Sequence, residues 1–278
     1  MDFVNKSLIL FIFLSVSTCA QSSLQKQFEF AKELYNREEY FDAITELKRL
    51  NFFDVNNEYT FQSNELIGLS YKGGGKFQEA IKYFTLAELS AKNSEDLFGM
   101  KVEKIKINIL RRTTDNAFKL LDAIEKDERF RDKTDEINYW EGWTYVFADN
   151  WEAAAKSFSE ISPDHELKIF CEKTKERKYS VTFAKLLSVF LPGAGQFYTG
   201  NYVSGLLSLG WTVLWGYVAV NAFVEDRVFD GLAVADFLWF RFYRGNLQNA
   251  ESFAVEKNLQ ISNEALDFLQ HKYKGSKP

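Results

Sequence analysis

Four alanines stand 37 residues apart, and that spacing leaves the chain little choice of fold: Ala43, Ala80, Ala117 and Ala154. A large apolar residue follows each of them four positions later, at Leu47, Phe84, Leu121 and Phe158. Residues four apart lie on one face of an α-helix, so each alanine marks the buried face of a helix. The repeat predicts four similar helical hairpins and an all-α fold.

Two further columns indicate how each hairpin closes. Three positions before the alanines stand Tyr40, Phe77, Thr114 and Trp151, where we expect the second helix of each hairpin to begin. Twelve positions before them stand Ala31, Gly68, Ile105 and Gly142. Except for Ile105 these residues are small, and small residues let two antiparallel helices approach closely.

The second repeat carries the fullest motif, with Gly68, Tyr71, Ala80, Phe84 and Ala87. This pattern resembles that of the tetratricopeptide repeat family over residues 24–163. The third repeat departs from it, with Ile105 and Asn108 in place of glycine and tyrosine. The resemblance implies a solenoid of about four repeats, and a polar helix after residue 163 extends this domain to residues 24–178.

Such solenoids leave a concave surface that binds peptides or helices, so we expect the partner, a protein or peptide segment, to bind there. The expected groove residues are Lys32, Tyr35, Lys72, Val102, Lys106, Tyr139, Trp143 and Phe147. Trp143, Tyr139 and Phe147 form either an aromatic anchor site or a patch covered within the protein. The lysines either favour an acidic ligand or are simply solvated.

The composition changes after Ser180. Val203–Val224 contains no charged residue, and its 22 residues are enough to cross a bilayer. After the polar turn Glu225–Arg227, a second apolar stretch runs from Val228 to Tyr243. The sequence therefore predicts a membrane-associated helical hairpin domain over residues 180–247, and a polar tail with a short helix over residues 248–278.

The hairpin is preceded by a motif with Pro192, Gly193, Gly195, Gln196 and Gly200. Proline ends the preceding helix and the glycines permit a tight turn. The motif resembles the proline-glycine-x-glycine-glutamine signature of bacterial small domains with two transmembrane helices. That resemblance implies a membrane module and no transferable activity.

Asp236 interrupts the second apolar stretch. An ionisable group inside a membrane segment is costly and is usually paired or functional, and Arg241 is the nearest candidate partner along the chain. The alternative is that this helix lies partly in the membrane interface, where both charges reach water.

The first twenty residues predict a signal peptide, because Lys6 precedes an apolar run that ends in small residues up to Ala20. A lipoprotein-type attachment at Cys19 is the alternative. Both predict an exported, periplasm-facing protein of a Gram-negative envelope. Basic residues on both sides of the hairpin instead favour cytoplasmic repeats, but long domains are translocated largely regardless of charge.

Composition restricts the activity. A net charge of −5 argues against nucleic-acid binding, and two histidines and two cysteines provide no metal-ligand spacing, so no cofactor is expected. No catalytic constellation or small-molecule site is evident. We expect a non-enzymatic adaptor whose repeats bind a protein segment and whose hairpin anchors it to a membrane. In the alternative, the membrane module is the active part, as an insertion factor or transport accessory, and the repeats serve as its recruitment arm.

Overall fold

The computed structural model describes residues 23–278, which form helices and no β-strand. They divide into two units. Unit 1 runs to Lys168 and includes Ser276–Pro278, and unit 2 is Ile169–Gly275. The signal peptide predicted at residues 1–20 and the lipidation alternative at Cys19 lie outside the described residues.

Unit 1 consists of helices that each pack on the next along the chain. They are α1 (residues 23–36), α2 (Tyr40–Phe53), α3 (Thr60–Gly73), α4 (Phe77–Ser90), α5 (Ser94–Leu110), α6 (Thr114–Glu125), a 3₁₀ segment (Glu128–Lys133), α7 (Thr134–Phe147) and α8 (Trp151–Ile161). Short connections between neighbouring helices keep consecutive elements adjacent.

The 37-residue period is present in the structure. Helices α2, α4, α6 and α8 begin at Tyr40, Phe77, Thr114 and Trp151, as the sequence predicts. The four periodic alanines are fully buried, and the large apolar residues four positions later are at most 4% exposed. The predicted buried stripe is therefore confirmed.

Where the small residue is glycine, it lets the two helices of a hairpin approach closely, as the sequence predicts. A β-carbon added to Gly68 would lie 2.6 Å from the ring of Phe84, and one added to Gly142 would lie 2.6 Å from the ring of Phe158. A distance below 3 Å leaves no room for the extra atom. The paired helices thus pack at a separation that only glycine permits at these two positions.

Helix α9 (Glu166–Arg177) crosses from unit 1 into unit 2. Unit 2 continues with α10 (Val181–Phe190), α11 (Ala194–Tyr198), α12 (Tyr202–Val224), α13 (Val228–Val234), a π-helical segment (Ala235–Phe240) and α14 (Arg241–His271). Helix α12 packs on α13 and on the π-helical segment, so the predicted helical hairpin is present.

Two expected boundaries differ from the structure. The tail over residues 248–278 does not form a short separate helix, because it continues α14, which is one helix of 31 residues. Its buried residues Ala250, Ala254 and Leu269 give it an apolar face, and it packs on α10 and α11 in unit 2. Most of α9, expected to close the repeats, also belongs to unit 2.

Candidate functional site

The turn between α10 and α12 is built from glycines in close backbone contact. Gly193 has a φ of 92°, in the left-handed region, and a β-carbon there would lie 2.3 Å from the carbonyl oxygen of Gly205 in α12. A β-carbon on Gly195 would lie 2.2 Å from the carbonyl oxygen of Ala184. The motif glycines therefore let α11 enter between α10 and α12. Pro192 stands just after α10, and Gly200, with a φ of 78°, just after α11.

Gln196 lies at the centre of a buried polar network. Its amide nitrogen donates to the backbone carbonyl oxygen of Asn246 at 3.0 Å, to the side-chain oxygen of Asn246 at 3.1 Å and to the hydroxyl of Ser208 at 3.2 Å. Its amide oxygen accepts from the hydroxyl of Ser188 at 3.2 Å. Gln196 and Ser188 are 0% exposed and Asn246 is 1% exposed. Because each member is satisfied, the network joins four helices in one arrangement.

The network also satisfies the backbone of the turn. The amide of Gly193 donates to the side-chain oxygen of Asn246 at 2.7 Å, and the amide of Gly195 donates to the hydroxyl of Ser188 at 2.9 Å. The sequence motif includes Gln196, but its hydrogen-bond partners Ser188 and Asn246 lie outside the motif and were not predicted. An isolated serine and asparagine carry no sequence signal of a buried partner.

Unit 2 exposes a large apolar surface. On α10, Ala184 and Ser188 are buried while the larger apolar side chains are exposed. The exposed apolar residues of α10, α12 and the hairpin include Phe183, Leu186, Phe190, Val203, Leu206, Leu207, Val213, Tyr217, Val220, Val224, Phe229, Leu232 and Phe237. Large exposed apolar patches commonly mark sites of interaction with a membrane or another protein. We call these residues the apolar surface of unit 2.

Helix α12 is the one helix within residues 23–278 that is long and apolar enough to cross a membrane. Its 23 residues extend about 34 Å at 1.5 Å per residue, close to the ~30 Å thickness of the hydrocarbon layer. Only 17% of its most apolar window is buried in the protein. Its outward face is thus apolar, unlike that of a helix at the surface of a soluble domain.

Small residues of α12 face the return arm of the hairpin. Thr212 is 6% exposed, and a β-carbon on Gly216 would lie 3.2 Å from the indole nitrogen of Trp239. A β-carbon on Gly231 would lie 2.9 Å from the ring of Phe223. The hairpin therefore closes with bulky rings packed over glycines, and small residues are common where membrane helices pack closely.

Asp236 lies in the π-helical segment and is exposed. The wider turn of a π-helix brings residues five apart closer to one face than an α-helix does, so Asp236 and Arg241 lie on nearly the same side. No ion pair joins them within the described chain. π-Helical segments are frequent at functional sites, so Asp236 remains a candidate functional residue.

The residues predicted to line a groove in unit 1 differ in exposure. Lys32 is exposed, and Tyr35, Lys72, Lys106, Tyr139 and Phe147 are partly exposed. Val102 is 4% and Trp143 2% exposed, so neither presents an open binding surface. The burial of Trp143 favours the alternative in which its ring packs within the protein. Tyr139 donates a hydrogen bond to the carbonyl oxygen of Ser276.

Two of the groove lysines pair with one carboxylate. Glu103 pairs with Lys72 at 2.9 Å and with Lys106 at 2.6 Å. Lys106 also lies 4.6 Å above the ring of Trp140. Burial alone would raise the pKa of Glu103, but the two ammonium groups outweigh it, and its pKa is lowered. Lys72 and Lys106 are thus engaged within unit 1, which leaves Lys32 as the exposed groove lysine.

The reactive groups of unit 2 are few. Burial raises the pKa of the Cys171 thiol to about 12, so this free cysteine stays protonated and unreactive at neutral pH. Within residues 23–278 no group of three or more His, Cys, Asp or Glu side chains could hold a metal ion.

Comparison with protein-family models, with curated proteins and with solved structures finds no match for this chain. Residues 23–278 are helical throughout their regular structure, and one helix among them is long and apolar enough to cross a membrane.

Proposed function

We propose that this protein is a non-enzymatic adaptor of the bacterial envelope, anchored to a membrane by unit 2 and binding a protein segment through unit 1. The observation that carries the proposal is the apolar surface of unit 2. Burying it in lipid contributes about 25 cal/mol per Å² of apolar area, which makes a bilayer its natural environment. The signal peptide predicted at residues 1–20 supports an exported, periplasm-facing location.

We propose further that unit 1 is a tetratricopeptide-type solenoid of about four repeats. Its support is the period of 37 residues, which recurs in helix starts, in buried alanines and in the turns between helices. Solenoids of helix pairs use their concave surface for extended peptides. We expect the partner at the groove positions that are exposed or partly exposed, such as Lys32, Tyr35 and Phe147.

Membrane attachment is tested by flotation of the full chain with liposomes, followed by carbonate washing. An anchored protein floats with the vesicles and resists the wash. Complete release by carbonate would contradict a spanning hairpin, and failure to float would contradict attachment altogether.

Partner binding is tested by placing a photo-crosslinking amino acid at Tyr35 or at Phe147 in cells. Lys119, an exposed residue of α6, is the control position outside the groove. The proposal expects the same crosslinked protein from both groove positions and not from Lys119. Identical products from all three positions would remove the groove from the mechanism.

A second candidate function makes unit 2 the active part, as an insertion factor or transport accessory. The observation that favours it is Asp236, a charge exposed within an apolar surface. Asp236→Asn would then abolish activity in a complementation assay while the protein remains in the membrane. Full complementation by this variant would eliminate the second candidate.

A further inference from the structure

A cavity of about 360 Å³ lies in unit 2 between α12 and α14. Its wall on α12 includes Ser204, Leu207 and Trp211, and its wall on α14 includes Arg241 and Asn249. Ligand sites of this size take small polar molecules or the headgroups of larger ones. All of these residues belong to unit 2.

Ser208 and Asn246 also line this cavity, and both belong to the buried polar network described above. The other polar side chains of the cavity lack partners in the described part of the chain. Within residues 23–278, Arg241 has no carboxylate within 4.0 Å, and neither Ser204 nor Asn249 makes a side-chain hydrogen bond. Arg241 is exposed and so carries an uncompensated positive charge. Guanidinium, hydroxyl and amide groups together donate the hydrogen bonds that a phosphate oxygen accepts. The cavity is therefore complementary to a phosphate anion.

The apolar residues identify the rest of the ligand. Leu207 and Trp211 are 56% and 42% exposed, and Trp211 stacks on Phe242 at 5.5 Å between ring centroids. They continue into the apolar surface of unit 2 through Leu206, which is 62% exposed. A free phosphate ion would leave these apolar walls exposed to water, whereas acyl chains would cover them.

We propose that this cavity binds the headgroup of an anionic phospholipid, with its phosphate at Arg241 and its acyl chains along Leu207 and Trp211. Phe242 stacks on Trp211, so the backbone of Arg241 lies level with the middle of α12. The Arg241 side chain lines the cavity together with Ser204 in the first turn of α12, so its guanidinium extends toward the membrane interface, as long basic side chains in membrane segments do. The cavity lies along the first half of α12, and the residues of α14 beyond Arg241 include the exposed Arg244, Gln248 and Asn249. This inference rests on the membrane attachment proposed above.

The test measures lipid binding to the purified full chain in detergent by native mass spectrometry. The probes are dioctanoyl phosphatidylglycerol, the zwitterionic dioctanoyl phosphatidylcholine, and inorganic phosphate. Arg241→Gln is compared with Arg244→Gln, which removes an equal charge from the same helix. Arg244 does not line the cavity and instead lies 5.7 Å above the ring of Phe240.

We expect one phosphatidylglycerol per chain, bound at least tenfold more tightly than phosphatidylcholine. Arg241→Gln should weaken the binding of phosphatidylglycerol about tenfold, as expected for a lost charge-assisted hydrogen bond. Arg244→Gln should weaken it less than threefold. Equal losses of lipid affinity in the two variants would overturn the proposal, and so would equal affinity for the two lipids. It would also be overturned if equimolar inorganic phosphate displaced the lipid, or if the purified chain retained an acidic polypeptide and no lipid.

Liposome flotation of Arg241→Gln separates this inference from the proposed anchor. The variant should still float, because the apolar surface of unit 2 is unchanged. Its circular dichroism should match that of the wild type, which shows that lost lipid binding does not reflect unfolding. If the wild type itself fails to float, the anchor is contradicted; if it floats but binds no phosphatidylglycerol in the cavity, the lipid site alone is contradicted.

Discussion

One residue in each of four turns of unit 1 has a positive φ. These residues are Glu38 at 62°, Gly75 at 70°, Arg112 at 55° and Asp149 at 61°, again 37 positions apart. Each ends a helix, and the following amide donates to a carbonyl five residues back, as Thr113 does to Asn108 at 2.9 Å. Only Gly75 adopts this conformation without steric strain.

Arg112→Gly should therefore stabilise unit 1. Relief of the left-handed strain is worth ~1–2 kcal/mol, and the greater freedom of glycine in the unfolded chain removes ~0.5–1 kcal/mol, so the net gain is about 0.5–1 kcal/mol. Gly75→Ala should shift the free energy of unfolding in the opposite direction. Urea denaturation measures both. Arg111→Gly is the control, because Arg111 has a φ of −77° and should lose stability.

The ion-pair network of Glu103 predicts a pH dependence. The pKa of Glu103 is lowered in the folded state, so its contribution to stability is present above its ordinary pKa of 4.5 and is lost as the pH falls through the folded pKa. Glu103→Gln should cost ~1–3 kcal/mol at pH 7 and flatten the decline in stability between about pH 5 and 3.

Thermal unfolding of wild type and Glu103→Gln across that pH range measures this effect. Glu29→Gln, at an exposed residue of α1, is the matched control and should retain the wild-type slope. A parallel pH profile for Glu103→Gln and wild type would show that Lys72 and Lys106 do not hold this carboxylate ionised.

At the scale of elements, the packing of α11 depends on the absence of a β-carbon at Gly193 and at Gly195. Gly195→Ala would place a methyl group 2.2 Å from the backbone of α10 and should destabilise unit 2 by ~1–3 kcal/mol. Gly210→Ala in α12 is the control, because a β-carbon there meets nothing within 4 Å. Alanine favours helix more than glycine does, so this control should gain up to about 1 kcal/mol.

Thermal denaturation in detergent, followed by near-ultraviolet circular dichroism, distinguishes these two variants. Equal melting temperatures would mean that α11 can shift without cost. The motif itself was recognisable in the sequence through Pro192, Gly193 and Gln196. Its partners Ser188 and Asn246 were not, because they are 8 and 50 residues from Gln196 and meet it only after α10 and α14 have packed.

For the whole molecule, the distribution of apolar surface predicts membrane association through unit 2. Val213→Lys and Val220→Lys place charges on exposed apolar positions of α12 that are 61% and 62% exposed. A charge costs ~2.5–3.5 kcal/mol near the centre of a bilayer, so this cost applies to Val213 at the midpoint of α12 and is smaller for Val220, nearer the helix end. Liposome flotation of the double variant should fall sharply.

Gln248→Lys, at an exposed polar position of α14, is the matched control and should float like the wild type. Circular dichroism of the double variant should be unchanged, since neither valine is buried. Undiminished flotation of the Val213 and Val220 double variant would show that this face of α12 does not contact lipid.

The helical class, the period, the helix starts and the buried alanines could be predicted from the sequence, because these follow from local spacing on a helix. The long apolar helix and the glycine motif could be predicted as well. Only the packing of helices in three dimensions determines that Trp143 is buried, that Glu103 pairs with both Lys72 and Lys106, and that α14 is one continuous helix. It also assembled Arg241, Ser204 and Asn249 around one cavity. Such contacts join residues far apart in the chain, and no local pattern encodes which side chains meet once helices pack.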